Sequence, residues 1–376
     1  MSPVQPLRPQ PGSTIDPRNA VGRQATSARA RSELRGGNNL GLNDPRRMGK
    51  TVWLDMFCHE PGEGFEALKI DYEGVLTARE FLLRTVGDLS THRSLPKQVF
   101  GKLTALFDNV EVNAGPVTIK PGVATRAPTE LLDETIRSVD DHLDDGVVLV
   151  IAMDEVPLAI GNIAENEGAA SANHVLQTLR GLRRRGSRIR WIVCGSVGFH
   201  HILRRCDATE GVVNDLVNLP LGPLTTGEAT ELAQRLFLGI EREADKDAVA
   251  ALVGETGGIP FLLHALAHRL YDAGSGPVAA GDVDRAFTDL MDDRDDSRAV
   301  THLVTRMEPF YGDKAAAAEA ILDRVAVDLA TEAAAFDNRR LLDSLIDDHY
   351  LVERDRTIRW RYDVLRRIWA HRRRLG

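Results

Sequence analysis

The sequence predicts an α/β protein with a parallel sheet, followed by a helical domain and a smaller C-terminal domain. Between about residues 20 and 220, short apolar runs alternate with amphipathic segments of helical length, which is typical of successive βαβ units. After Pro220 the chain becomes alanine-rich, and segments such as "TGEATELAQRLFLGI" have helical periodicity. A chain of 376 residues is long enough for two or three domains of this kind.

Composition and charge exclude several classes of protein. Apolar residues make up 43% of the chain and charged residues 27%, as in ordinary soluble globular proteins. The net charge is −8, so any nucleic-acid binding has to be local. The cysteines, Cys58, Cys194 and Cys206, have neither metal-ligand nor disulfide spacing, and no apolar run approaches the length of a membrane span. We therefore expect a cytoplasmic protein that does not bind membranes.

The predicted core, residues 20–220, contains its strands in a clear order. "NNLGLND" is the first strand, with a helix after it, and "EALKIDYEG" is the second. Two β-rich pieces flank Asn113-Ala114-Gly115, which predicts a hairpin insert at about 109–122. "GVVLVIAMDE" and "IRWIVCGS" are two further apolar strands. Residues 1–19, rich in Pro, Ser and Gln, predict a disordered or extended arm.

The remaining chain is predicted to form a helical lid domain over 221–297 and a winged-helix domain over 298–376. The winged helix is predicted from the order helix, "HYLVER", turn, "TIRWRY", helix. Residues 338–376 hold eleven Arg and six Asp or Glu, interleaved with Trp360, Tyr362 and Trp369. Such a segment fits DNA contact, and the aromatic residues fit core packing equally well.

Gly49-Lys50-Thr51 is the first of three motifs that indicate phosphate chemistry. In a phosphate-binding loop, backbone N–H groups and a helix N-terminus surround the phosphates, the lysine adds a point charge, and the hydroxyl binds Mg²⁺. The three residues occur at the expected place, between the first strand and its helix. A chance tripeptide is the alternative.

The second and third motifs lie at the ends of later strands. Asp154 and Glu155 end an apolar strand as in a Walker B element, where Asp154 would hold Mg²⁺ and Glu155 would polarise the attacking water. Ser196 ends the next strand, and its hydroxyl would touch the γ-phosphate or the water. A solvated acidic turn is the alternative for the carboxylates. Lys50, Asp154, Glu155 and Ser196 are the predicted catalytic residues.

With these motifs the chain resembles the prokaryotic (archaeal-type) ATPases of the AAA+/STAND assemblage of P-loop NTPases, from residue 20 to 376. "AVGRQ" is similar to the box beside the adenine, "PRRMGKT" to the Arg-Arg variant of the Walker A loop, and "GGIPFLL" to the Gly-x-Pro turn of the lid. The resemblance implies ATP and Mg²⁺ as cofactors, with Thr51 and Asp154 at the metal. The nucleotide-binding residues that it implies are Gly22, Arg23, Pro45, Arg46, Arg47, Met48, Gly49, Lys50, Thr51, Val52, Gly258 and Pro260.

Asp44 departs from the family pattern, which has Gly or Ala at the start of this loop. A negative charge about 6 Å from a phosphate costs on the order of 3 kcal/mol at an effective dielectric of 20. Arg46 and Arg47 would offset most of this cost if either paired with Asp44 or reached the phosphates. The sequence therefore predicts weakened but intact nucleotide binding, and tighter ATP binding in Asp44→Gly.

The resemblance implies an ATPase that acts as a nucleotide-driven switch for assembling or recruiting a separately encoded partner, in a regulatory or defence role. Asp44 predicts that its hydrolysis is slow. The chain would also form a homo-oligomer or bind DNA through its winged helix. Two alternatives stay open: a non-hydrolysing scaffold that is stabilised by nucleotide and binds a partner or DNA, and a DNA-dependent motor or loader. The cluster Arg183-Arg184-Arg185 is either an arginine finger for a neighbouring subunit or a basic helix end.

Overall fold

The computed structural model describes residues 5–13, 15–91, 110–111, 118–119, 127–195, 198–292 and 307–375. The chain divides into two compact units. We call the first the phosphate-loop unit, formed by Met1–Gln24, Asp44–Trp53 and Leu221–Gly376. The second, the sheet unit, is formed by Ala25–Asn43 and Leu54–Pro220. The segment that contains Gly49-Lys50-Thr51 therefore groups with the C-terminal half of the chain, and the predicted domain boundaries stay predictions.

A five-stranded parallel sheet forms the centre of the sheet unit, as the sequence predicts. The strands of this unit are β1 (Asn39–Leu42), β2 (Phe65–Asp71), β3 (Val110–Glu111), β4 (Thr118–Ile119), β5 (Val148–Asp154), β6 (Ile189–Cys194) and β7 (Leu216–Asn218). The parallel sheet has the order β2-β5-β6-β1-β7. Its central strand β6 and its neighbour β5 are almost continuously apolar and buried, as expected for strands covered on both faces. β3 and β4 pair antiparallel within the segment for which the sequence predicts a hairpin.

Helices connect these strands. They are α1 (Gln24–Arg35), α2 (Lys50–His59), α3 (Ala78–Ser90), α4 (Pro128–His142), α5 (Val156–Glu167), α6 (Ala169–Arg183) and α7 (Phe199–Arg205). The division between the units falls inside α2, which begins at Lys50 immediately after the glycine of the phosphate loop. Thr77 caps α3 by accepting a hydrogen bond from the backbone N–H of Glu80.

The phosphate-loop unit continues after residue 221 as a group of four helices. They are α8 (Thr226–Gly239), α9 (Lys246–Thr256), α10 (Pro260–Asp272) and α11 (Ala280–Asp292). α8 begins with a capping box in which Thr225 and Glu228 satisfy each other's backbone N–H groups. Proline occupies the first turn of α10, where its missing N–H costs nothing.

The C-terminal part of the same unit follows the element order that a winged helix requires. Its elements are α12 (Met307–Tyr311), α13 (Ala315–Asp328), β8 (Thr331–Glu332), α14 (Arg339–Asp347), β9 (Leu351–Arg354), β10 (Thr357–Trp360) and α15 (Asp363–Arg373). The three strands pair antiparallel in the order β8-β10-β9. Trp360 and Trp369 are buried with ring centroids 5.8 Å apart, so these two aromatic residues belong to the core. The winged-helix assignment itself stays a prediction.

The N-terminal segment is extended and packs on the helices of its own unit. Leu7 is buried, and its backbone N–H donates to the carbonyl of Arg235, 2.8 Å away. The Arg235 Nε donates in turn to the carbonyl of Gln5. Further along, the backbone N–H of Gln10 donates to Nδ1 of the buried His264. In the described part of the chain, no helix has both the length and the apolar character that crossing a membrane requires.

Candidate functional site

The loop before α2, for which the sequence predicts phosphate binding, contains two left-handed residues. Gly49 has φ +84° and Arg47 has φ +70°, so the chain takes two left-handed residues before the helix begins. A Cβ at Gly49 would lie 3.7 Å from Cγ of Pro260, which places the loop glycine against the predicted lid. Left-handed residues that are separated by one residue are typical of loops whose backbone N–H groups form an anion-binding concavity.

Lys50 is buried, and its ammonium group is held by the loop itself. The Nζ atom donates to the carbonyl oxygens of Asp44 and Pro45, the latter 2.8 Å away. Two backbone carbonyls therefore fix the only lysine of the loop in a position at the start of α2. A lysine in this position is a mobile point charge that can turn from carbonyl oxygens to phosphate oxygens.

Arg23 connects the loop to the segment that precedes α8. Its guanidinium donates to four carbonyl oxygens, at distances from 2.5 to 3.3 Å: those of Met48, Leu221, Gly222 and Pro223. Its backbone N–H donates to Glu228, 2.6 Å away. Burial lowers the pKa of Arg23, while the charges of Glu228 and Asp44 oppose that shift. The predicted adenine box is thus joined through Arg23 to the Walker A loop.

Asp44 has a structural role that its sequence position does not suggest. Its carboxylate accepts hydrogen bonds from the backbone N–H groups of Leu221, at 2.7 Å, and Gly222, at 2.9 Å, and the residue is 2% exposed. Arg23 provides the opposing charge. Within the described residues, no hydrogen bond or ion pair joins Asp44 to Arg46 or Arg47. The charge of Asp44 is therefore compensated by Arg23 and two backbone amides, and Asp44→Gly would remove both of these hydrogen bonds.

Arg47 packs away from Asp44, against the predicted lid. Its guanidinium carbon lies 4.6 Å from the centre of the Phe261 ring, a cation–π contact. Burial lowers the pKa of Arg47, and the neighbouring charge of Arg46 lowers it further. A Cβ at Gly12 would lie 2.7 Å from Arg47 Nη1, so the N-terminal segment also reaches this guanidinium.

The predicted lid turn adjoins the same loop. Gly258 has φ +70°, and its carbonyl accepts a hydrogen bond from the N–H of Leu224, 2.9 Å away. A Cβ at Gly258 would lie 2.7 Å from the carbonyl oxygen of Leu224, so only glycine fits. The structure thus brings together, within one unit, most of the nucleotide-binding residues that the resemblance implies: Arg23, the loop from Pro45 to Thr51, Gly258 and Pro260. Met48 is buried, Val52 is half-buried and Thr51 is exposed.

Two C-terminal residues that belong to no sequence motif, His349 and Tyr362, have pKa values that depend on charges of the loop. Burial and the charge of Arg361 lower the pKa of His349, with Asp44 opposing this effect and Lys50 adding to it. Burial raises the pKa of Tyr362, and Asp44 contributes to the increase. The hydroxyl of Tyr362 would lie 4.0 Å from a Cβ at Gly222. The sequence gives no signal for these side chains, because they follow the loop by about 300 residues.

In the sheet unit, Asp154 and Glu155 lie where the sequence places them, at the C-terminal end of β5. Asp154 is 3% exposed, and its Oδ1 accepts from the backbone N–H of Glu155, 3.1 Å away. Glu155 has φ 54° and immediately precedes α5, so the chain turns sharply after Asp154. Carboxylate oxygens are the ligands that Mg²⁺ prefers. The Oδ2 atom of Asp154 is a carboxylate oxygen of this kind, so Asp154 fits the predicted metal site.

A lysine and a second aspartate accompany Asp154, and neither was among the residues expected from the sequence. Lys69 Nζ lies 2.6 Å from Asp55 Oδ1 and 3.7 Å from Asp154 Oδ2. Burial opposes the charged form of Lys69, but the hydrogen bond and charge of Asp55, helped by Asp154 and Asp71, raise its pKa. The signal was present in "KIDYEG", because the alternation of a strand places Lys69 and Asp71 on one face.

Ser196, the third predicted catalytic position, lies outside the described residues. For Arg183, the interpretation as an arginine finger is wrong. Its side chain is 3% exposed and forms a bidentate ion pair with Asp215, and it also donates to the carbonyl of Val212. Arg185 pairs with Asp133. The guanidinium of Arg183 is buried and ion-paired, so it cannot extend to a neighbouring subunit.

The comparisons with known proteins agree with the fold. No protein-family model and no curated protein matches the sequence. Among solved structures, the chain is similar to the Walker-type ATPase PABY2304 of Pyrococcus abyssi, with 17% identity and a TM-score of 0.64 over 96% of this chain and 98% of that one. The ORC2 protein of Aeropyrum pernix, solved as ADPNP and ADP complexes, gives 11% identity and a TM-score of 0.47 over 93% of both chains. The RuvB Holliday junction branch migration motor of Thermotoga maritima gives 12% and 0.41 over 90% and 92%.

The first of these likenesses carries the fold assignment. It extends over nearly the whole of both chains, and the five-stranded parallel sheet with a glycine-lysine-threonine loop after β1 accompanies it. The predicted fold class, an α/β fold with a parallel-sheet core like that of this Walker-type ATPase, is confirmed.

Proposed function

We propose that the protein binds ATP with Mg²⁺ and hydrolyses it slowly, and that the bound nucleotide controls the arrangement of its own helical region. The observation that carries this proposal is the network around Lys50. The same loop that holds this lysine is hydrogen-bonded, through Arg23 and Asp44, to residues 221–223, directly before the predicted lid. A ligand that draws Lys50 away from the loop carbonyls changes the loop to which this segment is fastened.

The proposed roles follow from the chemistry of each side chain. Lys50 binds the terminal phosphates through its ammonium group, and the N-terminus of α2 adds the positive end of its dipole. Thr51 and Asp154 supply oxygen ligands to Mg²⁺, which would neutralise phosphate charge. Glu155 orients the attacking water and accepts its proton. Ser196 keeps its predicted role as a contact of the γ-phosphate.

The switch would act on a separately encoded partner or on a second copy of the chain, in a regulatory or defence role within the AAA+/STAND assemblage. A change confined to one unit has an effect only if another molecule recognises it, and the sequence contains no nuclease or protease motif that would provide an output. Nucleotide binding would then favour one arrangement of residues 221–292 because of differential contacts, and hydrolysis would release it.

The test is steady-state ATP hydrolysis by the wild type and by Glu155→Gln, each with a matched titration of ATP binding. We expect turnover to fall by about a hundredfold or more in the variant while the affinity for ATP stays within a few-fold, because Glu155 acts on water and not on phosphate. Lys50→Ala is the control that should lose binding itself. Equal turnover in the wild type and Glu155→Gln would remove Glu155 from the mechanism.

One observation favours the scaffold that binds DNA. Among the arginines of residues 338–375, two groups differ in their contacts. Four are held in ion pairs with carboxylates: Arg339, Arg366, Arg367 and Arg373. Three on the β9–β10 hairpin are exposed, with no ion pair to another described residue: Arg354, Arg356 and Arg359. An exposed basic hairpin fits the backbone of duplex DNA. ATP turnover measured with and without duplex DNA separates this scaffold, which would bind without turnover, from a DNA-stimulated motor.

A further inference from the structure

The ammonium group of Lys69 lies among three carboxylates at the end of the sheet where the Walker B strand ends. It donates a hydrogen bond to Asp55 at 2.6 Å, lies 3.7 Å from Asp154, and is influenced by the charge of Asp71. The side chains of Lys69 and Asp55 are each 20% exposed, and that of Asp154 is 4% exposed. These are charges in a partly desolvated site, where electrostatic effects are stronger than at the surface.

The register of the sheet produces this cluster. In the parallel pair β2–β5, Lys69 is opposite Ala152 and Asp71 is opposite Asp154. Lys69 and Asp71 are two residues apart in β2, so they share one face of the sheet with Ala152 and Asp154. Asp55 comes from α2, and its contact with Lys69 shows that α2 covers this face. A strand, a second strand and a helix therefore supply one charge each to the surroundings of a single ammonium group.

The two aspartates hold Lys69 unequally. The contact with Asp55 is a charge-assisted hydrogen bond, whereas 3.7 Å from Asp154 is beyond hydrogen-bond distance. Asp154 therefore has a cation close to Oδ2 that attracts it without occupying its lone pairs. If Asp55 were uncharged, Asp154 and Asp71 would be the remaining attractions for the ammonium group.

We propose that Lys69 is a positioning residue that competes with Mg²⁺ for Asp154, and that Asp55 restrains Lys69 and thereby keeps Asp154 available to the metal. The inference rests on the proposed function, because it takes Asp154 as a ligand of the Mg²⁺ that accompanies ATP. As the metal arrives, Lys69 is repelled from Asp154 and keeps its hydrogen bond to Asp55, so it does not become an unpaired buried charge.

This arrangement makes the Mg²⁺ requirement adjustable by residues that do not contact the nucleotide. Removing the charge of Lys69 should raise the affinity for Mg²⁺, because Lys69 no longer competes for Asp154. Removing the charge of Asp55 should lower the affinity for Mg²⁺, because Lys69 is then drawn to Asp154. Removing both should resemble the loss of Lys69 alone, because Asp55 acts only through Lys69. A merely structural role would produce no such opposite signs.

The experiment measures the Mg²⁺ concentration that half-saturates the binding of MANT-ATP to the full chain, by fluorescence at fixed probe concentration. We expect about a tenfold decrease in Lys69→Met and an increase of about three- to tenfold in Asp55→Asn. The double variant should match Lys69→Met. Lys69→Arg keeps the charge and should stay near the wild type. Lys246→Met, at the exposed start of α9, is the matched control for loss of one lysine charge.

The outcomes distinguish this inference from the proposed function. If the wild type binds MANT-ATP with a Mg²⁺ dependence that Lys69→Met and Asp55→Asn leave unchanged, the inference is overturned and the proposed function stands. The inference is likewise overturned if both variants shift in one direction. If the wild type binds no MANT-ATP at any Mg²⁺ concentration, the proposed function fails, and the inference fails with it. Should Lys69→Met not fold, as judged by circular dichroism, Asp55→Asn against Lys69→Arg still decides the sign.

Discussion

The phosphate-loop unit and the sheet unit both bury charged side chains, but they neutralise those charges by different means. In the phosphate-loop unit, Arg23 donates to four backbone carbonyls and Asp44 accepts from two backbone amides. In the sheet unit, Lys69 is surrounded by the side chains of Asp55 and Asp154. A charge paired with backbone fixes the path of the chain, whereas a charge paired with side chains can be adjusted by a single substitution. The first arrangement should control stability and the second should control affinity for a metal.

Arg23→Ala gives the largest effect that this comparison predicts. The substitution leaves four carbonyls without their donor and removes a positive charge that interacts with Asp44 and Glu228. Removing one partner from a buried charge network typically costs about 3–5 kcal/mol. We expect a loss of that size in the free energy of unfolding, measured by urea titration.

The control for this prediction is Arg29→Ala, since Arg29 is an exposed arginine on α1 and its loss should change stability by about 0.5 kcal/mol or less. A loss below about 1 kcal/mol in Arg23→Ala would mean that water replaces the guanidinium without cost. The backbone-paired network would then not be a stability element.

The second prediction concerns pH and His264, which is 3% exposed and accepts a hydrogen bond from the backbone of Gln10. Burial lowers the pKa of His264 to about 4, from 6.5 in the unfolded chain. Between these values the unfolded state binds more protons, so this residue's contribution to stability falls as the pH falls from 6.5 toward 4. From pH 7 to pH 5 the loss amounts to about 2 kcal/mol.

His264→Gln should remove this dependence. Relative to the wild type, its free energy of unfolding should therefore rise by about 2 kcal/mol between pH 7 and pH 5. Urea titrations at pH 7 and pH 5 measure the difference. His174→Gln, at an exposed histidine, should run parallel to the wild type. If His264→Gln also ran parallel to the wild type, His264 would bind its proton equally well in the folded and unfolded states.

The smallest effect is expected in the sheet unit. Asp55→Asn removes a partly exposed ion pair, and such pairs contribute about 1 kcal/mol or less to stability. The free energy of unfolding should therefore change little, although the same substitution should change the Mg²⁺ requirement several-fold. If Asp55→Asn cost as much stability as Arg23→Ala, the contrast between the two units would disappear.

The sequence predicts local features of the site well and its long-range connections poorly. Lys50 and Asp154 are recognisable because each follows a strand in a short motif, and strand ends of a parallel sheet are where ligands bind. The sequence predicts that Asp44 weakens phosphate binding. Its hydrogen-bond partners, the backbone amides of Leu221 and Gly222, lie 177 and 178 residues away, so the sequence does not reveal its structural role. No spacing rule connects positions so distant.

Lys69 and Asp55 are an intermediate case. Asp55 follows Thr51 by four residues, which places both on one face of α2, and Lys69 precedes Asp71 by two residues in β2. The position of each residue within its own element is predictable. Their proximity to Asp154, however, depends on which strand is the neighbour of β5. That order is a property of the whole sheet, so it required the structure.

The order of the parallel sheet also has a consequence for synthesis of the chain. β1 is the first strand of the parallel sheet to be made, yet its partners among the described residues, β6 and β7, are the last two strands of that sheet. About 150 residues separate the end of β1 from the start of β6. At ribosomal rates of about 5–20 residues per second, both edges of β1 wait for roughly 10 to 30 seconds before their partners are made. Among the strands of the parallel sheet, β1 therefore waits longest for its partners during synthesis.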